Sequence, residues 1–335
     1  MSEIVTRLPS PSVSKWPRFA GQSLCNLINL AFCMKILVTG ATGFIGSAFS
    51  RHALSRGHSI GGMMLPTERI PVGLEANDRM TWFKGTLAEP PWQEIEKFKP
   101  DACVHFAWIA TPGIYLESPE NENYFHWSRE FVRRIREFGA QRIVAAGTCI
   151  EYRISNEKLS EDQTPIEPTT TYARWKDALR VALAEDARKN GFRFAWTRVF
   201  YPYGVGEHPA RLCSSIIQKL GRGEKIELKT PNSTKDYIYI EDLASAFLTV
   251  LQKQFEGIIN LGTGIGLTVK EIAQTLGQMM HRPELISEMD PPQVDPLGYV
   301  VADVSKLCGL GWKPDHDLRR GLEKLLANVP PASTP

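Results

Sequence analysis

The stretch Lys35-Ile36-Leu37-Val38-Thr39-Gly40-Ala41-Thr42-Gly43-Phe44-Ile45-Gly46 constrains this chain more than any other. It runs from an apolar strand through three spaced glycines into an apolar helix. Gly40 allows a tight turn out of the strand, Gly43 lets main-chain N–H groups approach a ligand, and Gly46 lets the helix close on the sheet. An anion is favoured at that helix start, because the first N–H groups have no helical partner and the helix dipole is positive there. Thr42, Phe44 and Ile45 complete the candidate dinucleotide loop. The same spacing also suits a strand-to-helix turn that binds nothing, so a second motif has to decide.

Composition narrows the partners. With 335 residues the chain can bury a full core, as one large or two modest domains. A net charge of +2 with scattered basic residues gives no reason to expect nucleic acid or an acidic membrane surface, and no apolar run reaches spanning length. The six cysteines show neither a C-x-x-C pair nor zinc-type spacing, which reads as reduced thiols in a cytoplasm and no metal. Residues 1–33, with Pro9, Pro11 and Pro17, are expected to be a disordered leader, so that the fold begins at Met34.

A first helix over 44–55 and strands over 59–65, 80–83 and 102–107 follow, with a helix near 93–98. Strand two ends in Met63-Met64-Leu65, where a dinucleotide fold usually places a carboxylate for the adenosine ribose. Without an acid there a 2′-phosphate is admissible, Arg69 is the candidate to pair with it, and NADP is slightly favoured over NAD. His105, inside an apolar run, reads as a hydrogen-bonded core histidine. Residues 111–120 should form a loop at the carboxyl edge of the sheet. An amphipathic helix over 121–138, a strand over 141–146 and a helix over 172–189 continue the alternation, which predicts an α/β, Rossmann-type doubly wound parallel sheet.

The second motif is Tyr172 with Lys176. Four residues apart on a helix they share a face, so the ammonium can lower the phenol's pKa and hold a cofactor ribose while the phenol exchanges a proton with substrate. Thr148, at the end of strand five, can hydrogen-bond the same substrate oxygen. Together with the glycines, these three residues favour a nicotinamide enzyme.

On these residues the chain resembles the extended short-chain dehydrogenase/reductases, in the nucleotide-sugar epimerase, dehydratase and reductase branch. The resemblance spans 35 to about 326. It also uses His105-Phe106-Ala107, Asn123, Arg198 through Gly204, Lys235 through Asp242, Asn260 through Gly264, and Leu310 through Pro314. It implies hydride transfer between a sugar carbon and a nicotinamide cofactor, NADP or NAD. Tyr172 would be the acid/base, Lys176 its partner and ribose ligand, Thr148 the hydroxyl clamp and Asn123 a support. Ala107 would join the cofactor site, and Thr148, Cys149, Tyr201, Arg211 and Lys235 would meet the nucleotide sugar, the two basic residues at its diphosphate. A homodimer through the helices at 121–138 and 172–189 is the family expectation.

Departures from the family pattern narrow the activity. Dehydratases carry an Asp-Glu pair after the strand-five threonine, whereas Cys149 and Ile150 stand here, which argues against dehydration. Cys149 echoes the cysteine of 3,5-epimerase/reductases at an imperfect offset, and His208 lies two residues early. The expectation is therefore a reductase of a nucleotide-linked 4-keto-6-deoxy sugar. A 4-epimerase, a 3,5-epimerase/reductase and a nicotinamide-binding protein without turnover are the alternatives. Residues 34–204, with returning segments near 233–265, should bind the cofactor. Residues 205–327 should form mainly a smaller substrate-binding lobe, with a helix near 210–220, and 328–335 a disordered tail.

Overall fold

A computed structural model describes residues 33–328. The expectations of a leader and a tail fall on residues 1–32 and 329–335, outside those described. In the first half, β1 (Lys35–Thr39), α1 (Phe44–Ser55), β2 (Ser59–Met64), β3 (Met80–Lys84), α2 (Trp92–Phe98) and β4 (Ala102–His105) are followed by α3 (Glu120–Glu137), β5 (Arg142–Thr148), α4 (Thr171–Asn190) and β6 (Arg193–Val199). The second half holds β7 (Tyr201–Tyr203), α5 (Leu212–Gly221), β8 (Ile226–Leu228), β9 (Thr234–Tyr239), α6 (Ile240–Gln252) and β10 (Gly257–Leu261). It ends with β11 (Gly266–Thr268), α7 (Val269–Met279), β12 (Ile286–Glu288), β13 (Tyr299–Val300), α8 (Ser305–Gly309) and α9 (Leu318–Ala327).

Seven strands form one parallel sheet in the order β10-β6-β5-β4-β1-β2-β3. The chain goes outward from β1 to β3, then returns to β4 on the other side of β1. This reversal opens a crevice at the carboxyl ends of β1 and β4, the place where doubly wound sheets bind ligands. β1 shows why both faces are covered. Ile36 and Val38 enter a core with Phe49 of α1 and Phe247 of α6, while Leu37 enters another with Phe131 of α3 and Leu183 of α4. A strand buried on both sides needs an unbroken apolar run, and Ile36-Leu37-Val38 supplies it. A second, mixed sheet joins β11, β9, β13 and β7.

The expected elements of the parallel sheet are present within a few residues of their limits. β6 is an element the sequence reading does not place, and α5 begins at Leu212 rather than near 210. Its N-cap is Arg211, whose side chain makes no capping bond.

Candidate active site

The crevice is a cavity of about 1390 Å³. Its floor is made from strand ends: Thr39 after β1's apolar run, Phe106 and Ala107 after β4, Ala146 to Thr148 of β5, and Val199 of β6.

Gly40, Thr42, Gly43, Phe44, Ile45 and Gly46 all line it, as expected. Gly40 has φ +64°, and a Cβ there would stand 3.1 Å from the main chain of Ala107. At Gly46 a Cβ would fall 2.1 Å from the Gly40 carbonyl oxygen, so this position closes the helix onto the loop. Gly43 caps α1 without a side-chain bond. The first N–H groups of α1 are thereby left for a ligand, and a cradle that only glycine permits fits a dinucleotide pyrophosphate. Thr39 Oγ1 accepts the N–H groups of Phe106 and Ala107 at 3.1 Å, which ties the ends of β1 and β4 together.

The cavity wall beyond β2 bears on the cofactor expectation. An acid does border it: Glu68, four residues past β2, lines the cavity, and its Oε2 accepts Thr42 Oγ1–H at 2.6 Å and Leu65 N–H at 2.9 Å. Arg69, proposed from sequence to pair with a 2′-phosphate, is exposed and is not among the lining residues. The turn after β2 carries the chain back on itself, so the pocket receives residue 68 and residue 69 is left outside.

The structure brings the three residues of the second motif together. Thr148, Tyr172 and Lys176 line one wall of the cavity. Lys176 is 2% exposed, donates from Nζ to the Ala146 carbonyl at 2.8 Å and lies 4.1 Å from the Trp108 ring centroid. Burial pulls its pKa down to about 7, against the charge of Glu151. Tyr172 is half-buried, and its phenol is pushed up by burial, then by Tyr115, Glu151 and Cys149, against a hydrogen bond with Thr148. The expected lowering of the phenol by Lys176 is not among the leading influences on it, and burial dominates both groups.

The loop before α3, expected at the carboxyl edge of the sheet, completes the wall, through contacts with Tyr172 that the sequence did not foretell. The Leu116 carbonyl accepts Tyr172 N–H at 2.9 Å, and Tyr115 packs edge-on against Tyr172 with centroids 4.9 Å apart. Asn121 holds this loop, donating to the carbonyls of Tyr115 and Ser118 and accepting from Trp108 Nε1. Asn123, the residue expected in the network, is exposed and bonds Glu120 at 3.2 Å instead. Two helical residues apart means about 200° around the axis, so Asn121 and Asn123 face opposite ways. His105 is the core histidine foreseen. Its Nδ1 meets Thr39 Oγ1 at 2.8 Å, its Nε2 meets Ser128 Oγ at 2.9 Å, and burial pulls its pKa down to about 3.

Of the residues the resemblance assigns to substrate, Cys149, Tyr201 and Arg211 line the cavity. Burial, then Glu151 and Asp236, push the Cys149 thiol up to about 12, so it is no thiolate at neutral pH. Lys235 does not line the cavity. Its ammonium is buried against Asp295 Oδ2 at 2.9 Å, Ser233 Oγ at 2.7 Å and the Leu297 carbonyl, which removes it from the diphosphate role expected of it. Arg211 is the one arginine on the lining, beside the buried acid Glu207, which sequence reasoning had not singled out.

Comparison with known proteins agrees with this geometry. Residues 36–262 match the NAD dependent epimerase/dehydratase family. The chain is 26% identical over 313 residues to a dTDP-4-dehydro-6-deoxyglucose reductase of Escherichia coli, covering 88% of this chain and 97% of the relative. It is 27% identical over 314 residues to a UDP-glucose 4-epimerase of Corynebacterium glutamicum, covering 87% and 94%. Among solved structures it superposes with TM-score 0.75 on the Thermus thermophilus UDP-glucose 4-epimerase in complex with NAD, at 24% identity over 88% of this chain and 98% of that one. The Bacillus anthracis dTDP-glucose 4,6-dehydratase in complex with NAD gives 0.76 at 19% identity, covering 88% and 96%. These structural likenesses establish the fold.

Proposed function

The chain belongs to the NAD dependent epimerase/dehydratase family of enzymes, and from that premise we propose that it reduces the ketone of a nucleotide-linked 4-keto-6-deoxy sugar. One observation carries the reading. Thr148, Tyr172 and Lys176 converge on the cavity, while the two positions after Thr148 are a neutral thiol and an isoleucine, with no acid/base pair for removing water. The E. coli reductase among the relatives, aligned over nearly its whole length, supports the same choice.

A nicotinamide dinucleotide bound in the glycine cradle supplies the hydride. The protein holds and orients. Gly40 to Gly46 take the pyrophosphate, and Lys176 is placed for the nicotinamide ribose. Thr148 and Tyr172 point hydroxyl donors at the ketone oxygen, where negative charge develops as carbon accepts hydride. Tyr172 then gives its proton to that oxygen. The Lys176 ammonium stabilises the phenolate left behind until solvent reprotonates it. Arg211 faces the diphosphate of the sugar nucleotide. Glu68 accepts a hydrogen bond from the adenosine ribose and repels a 2′-phosphate, so the reading favours NADH over NADPH. A homodimer through α3 and α4, a cytoplasmic setting and a smaller substrate lobe over 205–327 belong to the same reading.

The test is oxidation of NADH and NADPH in the presence of CDP-, GDP-, dTDP- and UDP-4-keto-6-deoxy sugars. Ketone-dependent oxidation by the wild type, lost at least 100-fold in Tyr172→Phe, is expected. Equal turnover by the two proteins sinks the mechanism. The 27% identity to a UDP-glucose 4-epimerase favours one second reading. Interconversion of UDP-hexoses without net oxidation of added cofactor would establish it.

A further inference from the structure

β5 ends at Thr148 and passes at once into a single tight turn, Cys149–Glu151. Glu151 is completely buried, and each of its oxygens is engaged. Oε1 accepts Thr148 N–H at 2.9 Å and Trp196 Nε1–H at 3.1 Å, and Oε2 accepts Trp196 Nε1–H at 3.1 Å and Arg198 Nε–H at 2.8 Å. Trp196 and Arg198 are fully buried on β6, opposite Ala145 and Gly147 of β5. Gly147 is the point where they converge. A Cβ there would stand 2.2 Å from Trp196 Nε1 and 2.7 Å from Glu151 Oε1.

Behind the carboxylate, the Arg198 guanidinium lies 4.2 Å from the Tyr152 ring centroid, and Tyr152 donates to Asn260 at 2.8 Å. Nη1 and Nη2 of Arg198 are buried without a hydrogen-bond partner. An ion pair this dry gains little stability over apolar residues of similar volume, which directs attention to what it positions. Two atoms of the reacting centre depend on the strand end it grips. They are the Thr148 hydroxyl and the Ala146 carbonyl, which receives Lys176 Nζ.

We propose that Glu151 is the positioning residue of the reacting centre. Through Thr148 N–H it fixes the strand end that presents the Thr148 hydroxyl and anchors Lys176. Burial pushes the Glu151 carboxyl up, and the Arg198 guanidinium at 2.8 Å with the Thr148 and Trp196 N–H donors pulls it back; the carboxylate that these donors hold favours the Lys176 ammonium. This inference rests on the proposed roles of Thr148, Tyr172 and Lys176. The other groups facing Lys176 do not serve. His105 of β4 is held neutral, Trp108 offers a ring, Tyr172 and Tyr115 are protonated phenols, and Cys149 is a protonated thiol. Arg198 is a cation on the far side of Glu151.

Glu151→Gln tests it, since the amide keeps an oxygen for Thr148 N–H and drops the charge. The alkaline limb of the kcat profile should move down by about one pH unit, a loss of about tenfold above the limb and little below it, with KM for the keto sugar within about twofold. In the cofactor-free protein, the 13Cε NMR titration of Lys176, assigned against Lys176→Met, should shift down in step. Glu151→Asp retains the charge but shortens the reach, so its kcat falls with the limb in place. If Glu151→Gln does not fold beside the stranded Arg198, the double variant Glu151→Gln/Arg198→Met removes both charges, and since losing the cation on the far side offsets only part of the effect, the Lys176 titration should still shift down, by less. A Lys176 titration and a kcat limb left where the wild type has them overturn the proposal, even with Tyr172→Phe inactive. Full turnover by Tyr172→Phe refutes the proposed mechanism instead and leaves the NMR result standing.

Discussion

Replacing Glu68 with glutamine should relax the cofactor preference, by an amount that follows from where the carboxylate sits. Its Oε2 is pinned by Thr42 Oγ1 and Leu65 N–H on the wall of the adenosine end. A 2′-phosphate bound there carries a charge of about −1.5 to −2. At about 4–5 Å from an exposed carboxylate in a water-like dielectric, the repulsion is roughly 1.5–2 kcal/mol. The ribose hydroxyl of NAD gains instead a hydrogen bond worth about 0.5–1 kcal/mol at an exposed site. The sum, about 2–3 kcal/mol, is a preference for NADH of roughly 30- to 150-fold. Glu68→Gln retains an oxygen for Thr42 and Leu65, so kcat/KM with NADPH should rise about 10- to 30-fold while that with NADH changes by less than about threefold. The wild-type preference should also shrink at high salt, as an exposed charge requires. A wild type that prefers NADPH, or a ratio unmoved in Glu68→Gln, refutes the placement of the ribose beside Glu68.

Gly46→Ala puts a methyl 2.1 Å from the Gly40 carbonyl oxygen, so α1 must retreat from the loop. Urea unfolding should register a loss of about 3 kcal/mol, with NADH affinity lower by at least about tenfold in calorimetry, and wild-type behaviour in both would contradict the cradle. Cys149 is buried and protonated. Iodoacetamide at pH 7 should therefore label exposed Cys308 and spare Cys149, and Cys149→Ala should keep turnover within about threefold; rapid labelling with loss of activity would restore a reactive thiol. The two basic residues assigned from sequence to the diphosphate should part company. Arg211→Leu should raise KM for the sugar nucleotide about tenfold or more with kcat kept. Lys235→Met should leave KM alone and lower unfolding stability by about 2–3 kcal/mol, since Asp295 loses its partner. The reverse pattern would place Lys235 in the site.

What the chain revealed in advance, and what it hid, divide by the distance between partners. The glycines from 40 to 46, and Tyr172 with Lys176, do their work within a turn or two of chain, so spacing alone exposed them. The apolar strands were legible for a similar reason, because two-sided burial writes a continuous run such as Ile36-Leu37-Val38. Asn121 and Asn123 were confused because the phase of α3 against its neighbours is a packing fact. Glu68, to which we assign the ribose, was missed because an acid was sought at the end of β2, whereas the following turn brings one back to the cavity. Lys235 looked like a free cation because its carboxylate lies 60 positions on, at Asp295. Glu151 was given no role of its own because its guanidinium lies 47 positions on, at Arg198.

The last three share a cause: each concerns a charge neutralised, or a carboxylate delivered, by the tertiary fold. The same holds for the chemistry itself. The motif states that a lysine stands beside a tyrosine, but Lys176 is brought near pH 7 by its burial over Trp108 and held there against further loss by Glu151. A Tyr-x-x-x-Lys pair placed on an exposed helix would keep an ordinary ammonium and an ordinary phenol. In the mechanism proposed here, the pH range over which the site donates a proton is therefore set by the layers packed around β5, and the motif only chooses which atoms will feel it.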